Sequence, residues 1–419
     1  MGRLIIEGPA KLSGSVKISG SKNSALPILA ATLLFDERVI LENIPDLMDI
    51  HTMIEILSAA GCKVIFSNGV ATIDPPTNPN TDIPYELVRK MRASFNVLGP
   101  LAAKFQKASV SLPGGCSIGV RPVDYHLEGL QKLGFSTNIE HGIVTAKLEK
   151  KVDEVIISLP FPSVGATEHI MTTAAVLDGT HTVIENAAME PEIEDLAIFL
   201  NQAGCKILGA GTRRIEVFGV KRVHGCVHRV IPDRIEAGTY IIAIAATMGD
   251  ALVENLNVSH LISLFDVLRS SKVNLSQICE DKVRVSMNQR PDPVKIQVTP
   301  YPGFPTDLQP QIIAFLSRAQ GTSIVTETVF KSRFQHVDEL KRFGARIEVS
   351  DGTAIVHGVE KLSGTQVSAT DLRAAAALVI AGLMANGTTL ISEVDQIFRG
   401  YERVVEKFSS LSAVIQYRE

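Results

Sequence analysis

Apolar and polar positions along the chain follow two alternating rhythms. In six segments, 47–60, 123–133, 193–203, 261–271, 335–343 and 401–411, the apolar residues fall on one side of a helix, which predicts amphipathic helices. Most are followed by a glycine (Gly61, Gly134, Gly204, Gly344), which enters the left-handed region without a Cβ clash and so ends a helix. Runs of strand period come next: Lys63-Val64-Ile65-Phe66, Asn68-Gly69 and Val70-Ala71-Thr72-Ile73 read as the two strands and turn of a hairpin. His141-Gly142 and Asp351-Gly352 hold the turn position in other copies. Ahead of each amphipathic helix a second kind is predicted, over 24–34, 85–105, 166–177, 234–247, 307–319 and 371–385. These segments are apolar on nearly every side, so they belong in the interior.

The pattern returns roughly every 70 residues, well beyond common solenoid periods, so each copy reads as a βαβαββ subdomain. A chain of 419 residues exceeds one ordinary core, and six copies suggest an α/β protein of two three-repeat domains. Lys11-Leu12-Ser13-Gly14 leads through Val16-Lys17-Ile18 into the first buried helix, as Lys361-Leu362-Ser363-Gly364 leads through Gln366-Val367-Ser368 into the last. The sixth copy stops after one strand, Ala413-Val414-Ile415-Gln416-Tyr417, without its return strand. The simplest closure has residues 1–20 supply strands to the C-terminal copies. One domain then spans 21–229 and a discontinuous one spans 1–20 and 230–419; a single continuous array is the alternative.

Composition narrows the function classes. Hydrophobic residues make up 45% and charged ones 21%, ordinary for a globular protein, while aromatics are 5% with no Trp, which leaves the packing to Ala, Leu, Ile and Val. The net charge of −4 gives no overall attraction to nucleic acid or to an anionic membrane, so any anion site must be local. Five scattered cysteines (62, 116, 205, 226, 279), with no C-x-x-C pair, fit neither a disulfide framework nor a zinc centre. With no run of about 18 apolar residues, the expectation is a reduced, cytoplasmic protein without membrane insertion.

The densest candidate chemistry is the stretch from Ser111 to Asp124. Leu112-Pro113-Gly114-Gly115-Cys116 is a loop that can bring its backbone close to a ligand, and Arg121 follows five positions after the sulfur. Cys116 is either a reactive thiol in an electropositive setting or a small packed hydrophobe. Several buried helices begin with polar or charged residues, Ser21-Lys22-Asn23, Pro232-Asp233-Arg234, Pro305-Thr306-Asp307 and Thr370-Asp371-Leu372-Arg373, where free N–H groups favour anions.

These stretches, with Met91-Arg92-Ala93-Ser94, Arg121-Pro122-Val123-Asp124, Ser163-Val164-Gly165-Ala166-Thr167, Glu185-Asn186-Ala187-Ala188 and Arg399-Gly400-Tyr401, resemble the enolpyruvyl transferases along essentially the whole chain. The resemblance implies two inside-out α/β barrel domains, each of three βαβαββ repeats, with an active-site cleft between them. It implies transfer of the enolpyruvyl group of phosphoenolpyruvate to the 3′-hydroxyl of UDP-N-acetylglucosamine for peptidoglycan synthesis, without metal or organic cofactor. Phosphoenolpyruvate would be held by Lys22, Asn23, Arg121 and Arg399, the guanidinium groups gripping carboxylate or phosphate. Cys116 would donate a proton to C3 or add covalently, and Asp307 would be the base for the sugar hydroxyl. The sugar nucleotide would meet Asn23, Arg92, Arg121, Pro122, Val123, Asp124, Ser163, Val164, Gly165, Asp307 and the backbone near Val329, with Asp371 and Arg373 secondary. Departures from the family pattern fall at Met48, near Phe161 and at Phe398. Rival readings are the branch acting on shikimate 3-phosphate and a catalytically silent UDP-sugar-binding regulator; a nucleic-acid enzyme is remote.

Overall fold

Segments with no polar face cannot sit against water, and in the computed structural model, which describes residues 2–113 and 123–419, they form interior helices. Lys22–Ala31, Val164–Ala174, Arg234–Ala246, Gln309–Leu316 and Leu372–Met384 are buried along nearly their whole length. The amphipathic helices lie at Met48–Ala59, Asp124–Lys132, Pro191–Gln202, Ile262–Ser270, His336–Arg342 and Val404–Ser410.

Two expected helices differ. The segment 85–105 is broken into Tyr85–Val88, a 3-10 turn Arg92–Val97 and Leu98–Phe105, with Met91 extended between them. Pro100 explains the restart, since its missing N–H and its ring are tolerated in a first turn and not in an unbroken helix. Pro310 does the same after the 3-10 turn Thr306–Leu308.

The described residues carry six four-stranded sheets of one design: two parallel strands, then two joined antiparallel. In Lys295–Val298, Thr322–Glu327, Thr353–His357 and Arg346–Ser350, for example, the first pair is parallel and the last pair is the hairpin turning at Asp351-Gly352. The turn residues have φ of 48° and 74° there, as the type I′ hairpin requires. Helix ends repeat as closely: Gly61, Gly134, Gly204 and Gly344 are left-handed, and in the two copies without glycine Lys272 (φ 70°) and Ser412 (φ 66°) take the same conformation.

The chain forms two compact units, one of residues 20–231 and one of 2–19 with 232–419, each with its own apolar core. Arg3–Gly8 lies between Gly387–Ser392 and Val414–Arg418, Ile5 facing Leu390 on one side and Gln416 on the other. The last strand thus acquires its neighbour from the start of the chain. Ser13–Lys17 runs parallel to Asp250–Glu254. The sheet of the first helix, left without that strand, takes Val227–Arg229 as its parallel edge against Val39–Glu42, a pairing across nearly two hundred residues that the sequence does not announce. Left-handed Asn43, Asn186 and Asn255 follow the central strands, and their side-chain amides donate to Val230 (2.8 Å), Leu159 (2.8 Å) and Ile18 (2.6 Å) carbonyls beyond the parallel neighbour. Among the described residues no helix is long and apolar enough to cross a membrane.

Candidate active site

In the unit of residues 20–231, the candidate groups stand at helix starts. Ser21 caps Lys22–Ala31 by accepting from the Ser24 N–H, which puts Lys22 in the first turn of an otherwise apolar helix. Lys22 is nine-tenths buried, and its Nζ lies 3.2 Å from Oδ2 of Asp49, itself buried at the start of Met48–Ala59. Asp49 neutralises and aims the ammonium; nothing in its local sequence distinguishes it from an ordinary first-turn carboxylate. Met48 beside it points outward, half-exposed. Asn23 and Arg92 are half-buried, Arg92 opening the turn before Leu98–Phe105.

Ser163 caps Val164–Ala174 by accepting from Ala166 N–H at 3.4 Å, so Val164 and Gly165 occupy the first turn, whose N–H groups have no partner within the helix. A Cβ on Gly165 would stand 3.3 Å from Cε1 of His126, one turn into the helix that Val123 and Asp124 begin. His126 Nδ1 is 3.2 Å from His169 Nδ1, and His169 Nε2 accepts from the Gly99 N–H at 2.7 Å. His169 therefore carries its proton on Nδ1 and His126 carries its own on Nε2, the edge that faces Gly165. Both rings are neutral. Burial pushes His169 down to about 3, and burial, then His169 and Arg92, holds His126 well below the ordinary histidine value. Sequence reading passed over this pair, although a histidine two positions into the Asp124 helix was visible.

In the other unit, Asp307 sits in the 3-10 turn that Pro305 and Pro310 bracket. Its Oδ1 accepts from Arg333 Nη1 at 2.8 Å and its Oδ2 from Arg373 Nη2 at 2.9 Å. The two guanidinium side chains are 3% and 4% exposed and the carboxylate 26%, so the anion is the open end of a buried cationic pair. Arg373 also donates to Tyr401 Oη at 3.2 Å, with its guanidinium 5.5 Å from the ring centroid. Burial works against its charge, but Asp307, then Tyr401 and Asp233, outweigh it and leave its pKa above the ordinary arginine value. Gln311 donates to Tyr401 at 3.1 Å, and Thr239, whose hydroxyl proton goes to the Ile235 carbonyl, takes the phenol proton at 2.9 Å.

Asp371 and Arg373 do not join to each other through their side chains. The Asp371 carboxylate caps Leu372–Met384, accepting from Arg373 and Ala374 N–H at 2.8 and 3.1 Å. Arg399 ends a 3-10 turn, half-buried, and donates to Gln396 Oε1 at 3.1 Å. Phe398 packs edge-on against Tyr417, with centroids 5.3 Å apart. Val329 follows the strand Thr322–Glu327. Cys116, Arg121 and Pro122 lie outside the described residues. Among the described residues no group of His, Cys, Asp and Glu could hold a metal ion.

The family model for EPSP synthase (3-phosphoshikimate 1-carboxyvinyltransferase) matches residues 6–408. The UDP-N-acetylglucosamine 1-carboxyvinyltransferase of Pseudothermotoga lettingae is 76% identical over the whole of both chains, and that of Thermotoga maritima 58% over 100% of this chain and 99% of its own. Among solved structures, the enolpyruvyl transferase NikO from Streptomyces tendae superposes with a TM-score of 0.90 at 26% identity, covering 99% of this chain and 98% of that one. EPSP synthase from Acinetobacter baumannii, at 15% identity with a TM-score of 0.78 and both chains fully covered, shares the fold. Six like sheets, helix starts bearing Lys22 and Asp307, and a family match from residue 6 to 408 converge on one conclusion: the chain belongs to the EPSP synthase family of enolpyruvyl transferases.

Proposed function

We propose that the chain transfers the enolpyruvyl group of phosphoenolpyruvate to the 3′-hydroxyl of UDP-N-acetylglucosamine and releases inorganic phosphate, the first committed step of peptidoglycan synthesis. The observation that carries this reading is the full-length, 76% identical relative of that name. Similarity to EPSP synthase at 15% identity speaks for the fold only. The reaction would take place in the cytoplasm, with 21–229 as one domain and 1–20 with 230–419 as the other.

These residue types suit an addition followed by an elimination. Asp307 takes the proton of the sugar hydroxyl, whose oxygen bonds to C2 of phosphoenolpyruvate while C3 gains a proton from Cys116. The resulting tetrahedral ketal returns a C3 proton to the Cys116 thiolate, that C–H electron pair forms the C2=C3 bond as the C2–O bond to phosphate breaks, and the phosphate leaves with the proton held by Asp307. Lys22, Arg121 and Arg399 carry the charge of the carboxylate and phosphate; Asp49 keeps Lys22 directed. The first turn at Ser163, Val164 and Gly165, with the Nε2–H edge of His126 beside it, suits the diphosphate.

The deciding experiment measures phosphate release from phosphoenolpyruvate with UDP-N-acetylglucosamine and, separately, with shikimate 3-phosphate. Turnover with the first acceptor alone is expected. Turnover with the second alone would refute the proposal, as would binding of the nucleotide sugar without any phosphate release.

A further inference from the structure

Glutamate closes the central strand of four of the six sheets: Glu42, Glu185, Glu254 and Glu327 stand at equivalent register positions, each opposite the end of the parallel neighbour. Three of them do surface work. Glu42, Glu185 and Glu254 are 46%, 45% and 30% exposed and reach Arg229, Arg214 and Lys282 at 3.8, 3.4 and 3.2 Å, pairs worth little in water. Glu327 is 1% exposed, and the left-handed asparagine that follows the other three is replaced by Thr328.

The buried carboxylate has three donors. Oε1 accepts from the backbone N–H of Val329 at 2.8 Å and of Phe330 at 3.0 Å, while Oε2 accepts from the Thr306 hydroxyl at 2.7 Å. Thr306 Oγ1 in turn accepts from Arg333 Nη1 at 3.1 Å, the same nitrogen that donates to Asp307 at 2.8 Å. Two backbone N–H groups hold Oε1, and the Thr306 hydroxyl holds Oε2, so the carboxylate ties the 327–330 turn to Thr306. Burial raises its pKa, against the pull of Phe330, Thr306 and Val329, which is a cost that a purely architectural strand end need not carry.

We propose that Glu327 is a positioning residue that locks the turn bearing the general base Asp307 to the turn bearing Val329, so that the acceptor's hydroxyl and its base are held in register. The role rests on the reading that Asp307 and the Val329 backbone both meet the sugar nucleotide. Glu327→Gln tests it with almost no change of shape. An amide can still accept from Val329 and Phe330, but its NH2 points at Thr306 Oγ1 and reverses that bond.

The expected result is a KM for UDP-N-acetylglucosamine raised about tenfold and a kcat lowered about tenfold, each equal to about 1.4 kcal/mol, with the KM for phosphoenolpyruvate within about twofold. Thr306→Val should give the same split, and Thr306→Ser, which keeps the hydroxyl, should restore wild-type constants. The proposal is overturned if Glu327→Gln and Thr306→Val leave the acceptor constants within about twofold of wild type. It is also overturned if both substrates' constants fall together with the melting temperature, since that marks general destabilisation, or if the serine variant is as poor as the valine one. A wild-type protein that releases no phosphate with either acceptor would refute the underlying function, a result distinct from all of these.

Discussion

Asp307→Asn is usually a mild way to remove a charge, and here it should not be. Both carboxylate oxygens accept from guanidinium groups, so the amide nitrogen of Asn would face a donor whichever way it turned. Arg333 and Arg373, at 3% and 4% side-chain exposure, would lose the anion they share. A unit charge pair at about 4 Å is worth about 4 kcal/mol at an effective dielectric near 20. Relief of the Asp307 desolvation offsets part of this, and breaking a buried pair typically costs about 3–5 kcal/mol. Because Asp307 is 26% exposed, the low end applies: about 3 kcal/mol, or a fall of roughly 6–12 °C in melting temperature for a unit of this size. Thermal unfolding followed by circular dichroism measures the first effect, and single-turnover phosphate release measures loss of the base. A melting temperature within about 2 °C of wild type would show that the arginines do not depend on Asp307, and the electrostatic reasoning would fail. Unchanged single-turnover chemistry would remove Asp307 as the base.

Cys116→Ser should abolish most turnover and, since the family resemblance implies a thiol open to alkylation by fosfomycin-like epoxides, make the protein indifferent to them; a serine variant with full activity and full epoxide sensitivity would contradict the thiol's role. Gly165→Ala places a methyl 3.3 Å from His126 Cε1 and should weaken nucleotide-sugar binding, read by calorimetry, while phosphoenolpyruvate binding stays as it was. His169, with a pKa near 3 in the folded state against 6.5 for the free side chain, is neutral when folded and protonated when unfolded over that window. The unfolded chain binds the extra proton, so stability is present above pH 6.5 and is lost as pH falls, by about 1.4 kcal/mol per pH unit for this residue. His169→Gln should flatten the slope of unfolding free energy between pH 4 and 6 by close to one proton, measured by urea titration, and an unaltered slope would count against a neutral buried ring.

How much of this was legible differs from residue to residue. Lys22, Ser163 and Asp307 could be found because each stands at the start of an apolar helix, a place where polarity against a hydrophobic background is conspicuous. Asp49, Arg333, Tyr401 and Glu327 could not. Their neighbours in sequence are ordinary, and their partners lie 27, 26, 28 and 21 positions away, at Lys22, Asp307, Arg373 and Thr306 respectively. Glu327 is the sharpest instance: it has the same place in its repeat as three surface glutamates, and only the packing shows that it turns inward.

By itself the sequence determined the local elements: helices with one or no polar face, hairpins turning at Asn-Gly, His-Gly and Asp-Gly, and six copies of one pattern. Those depend on side-chain period and on which residues tolerate positive φ, both properties of short segments. Tertiary structure alone decided that Val227–Arg229 replaces Ser13–Lys17 at the edge of the first sheet. It also decided that the carboxylates of Asp49, Asp307 and Glu327 each face a chosen donor. Strand exchange and buried charge pairing are settled by which distant groups are left without partners when the cores close, and that is a property of the assembled chain.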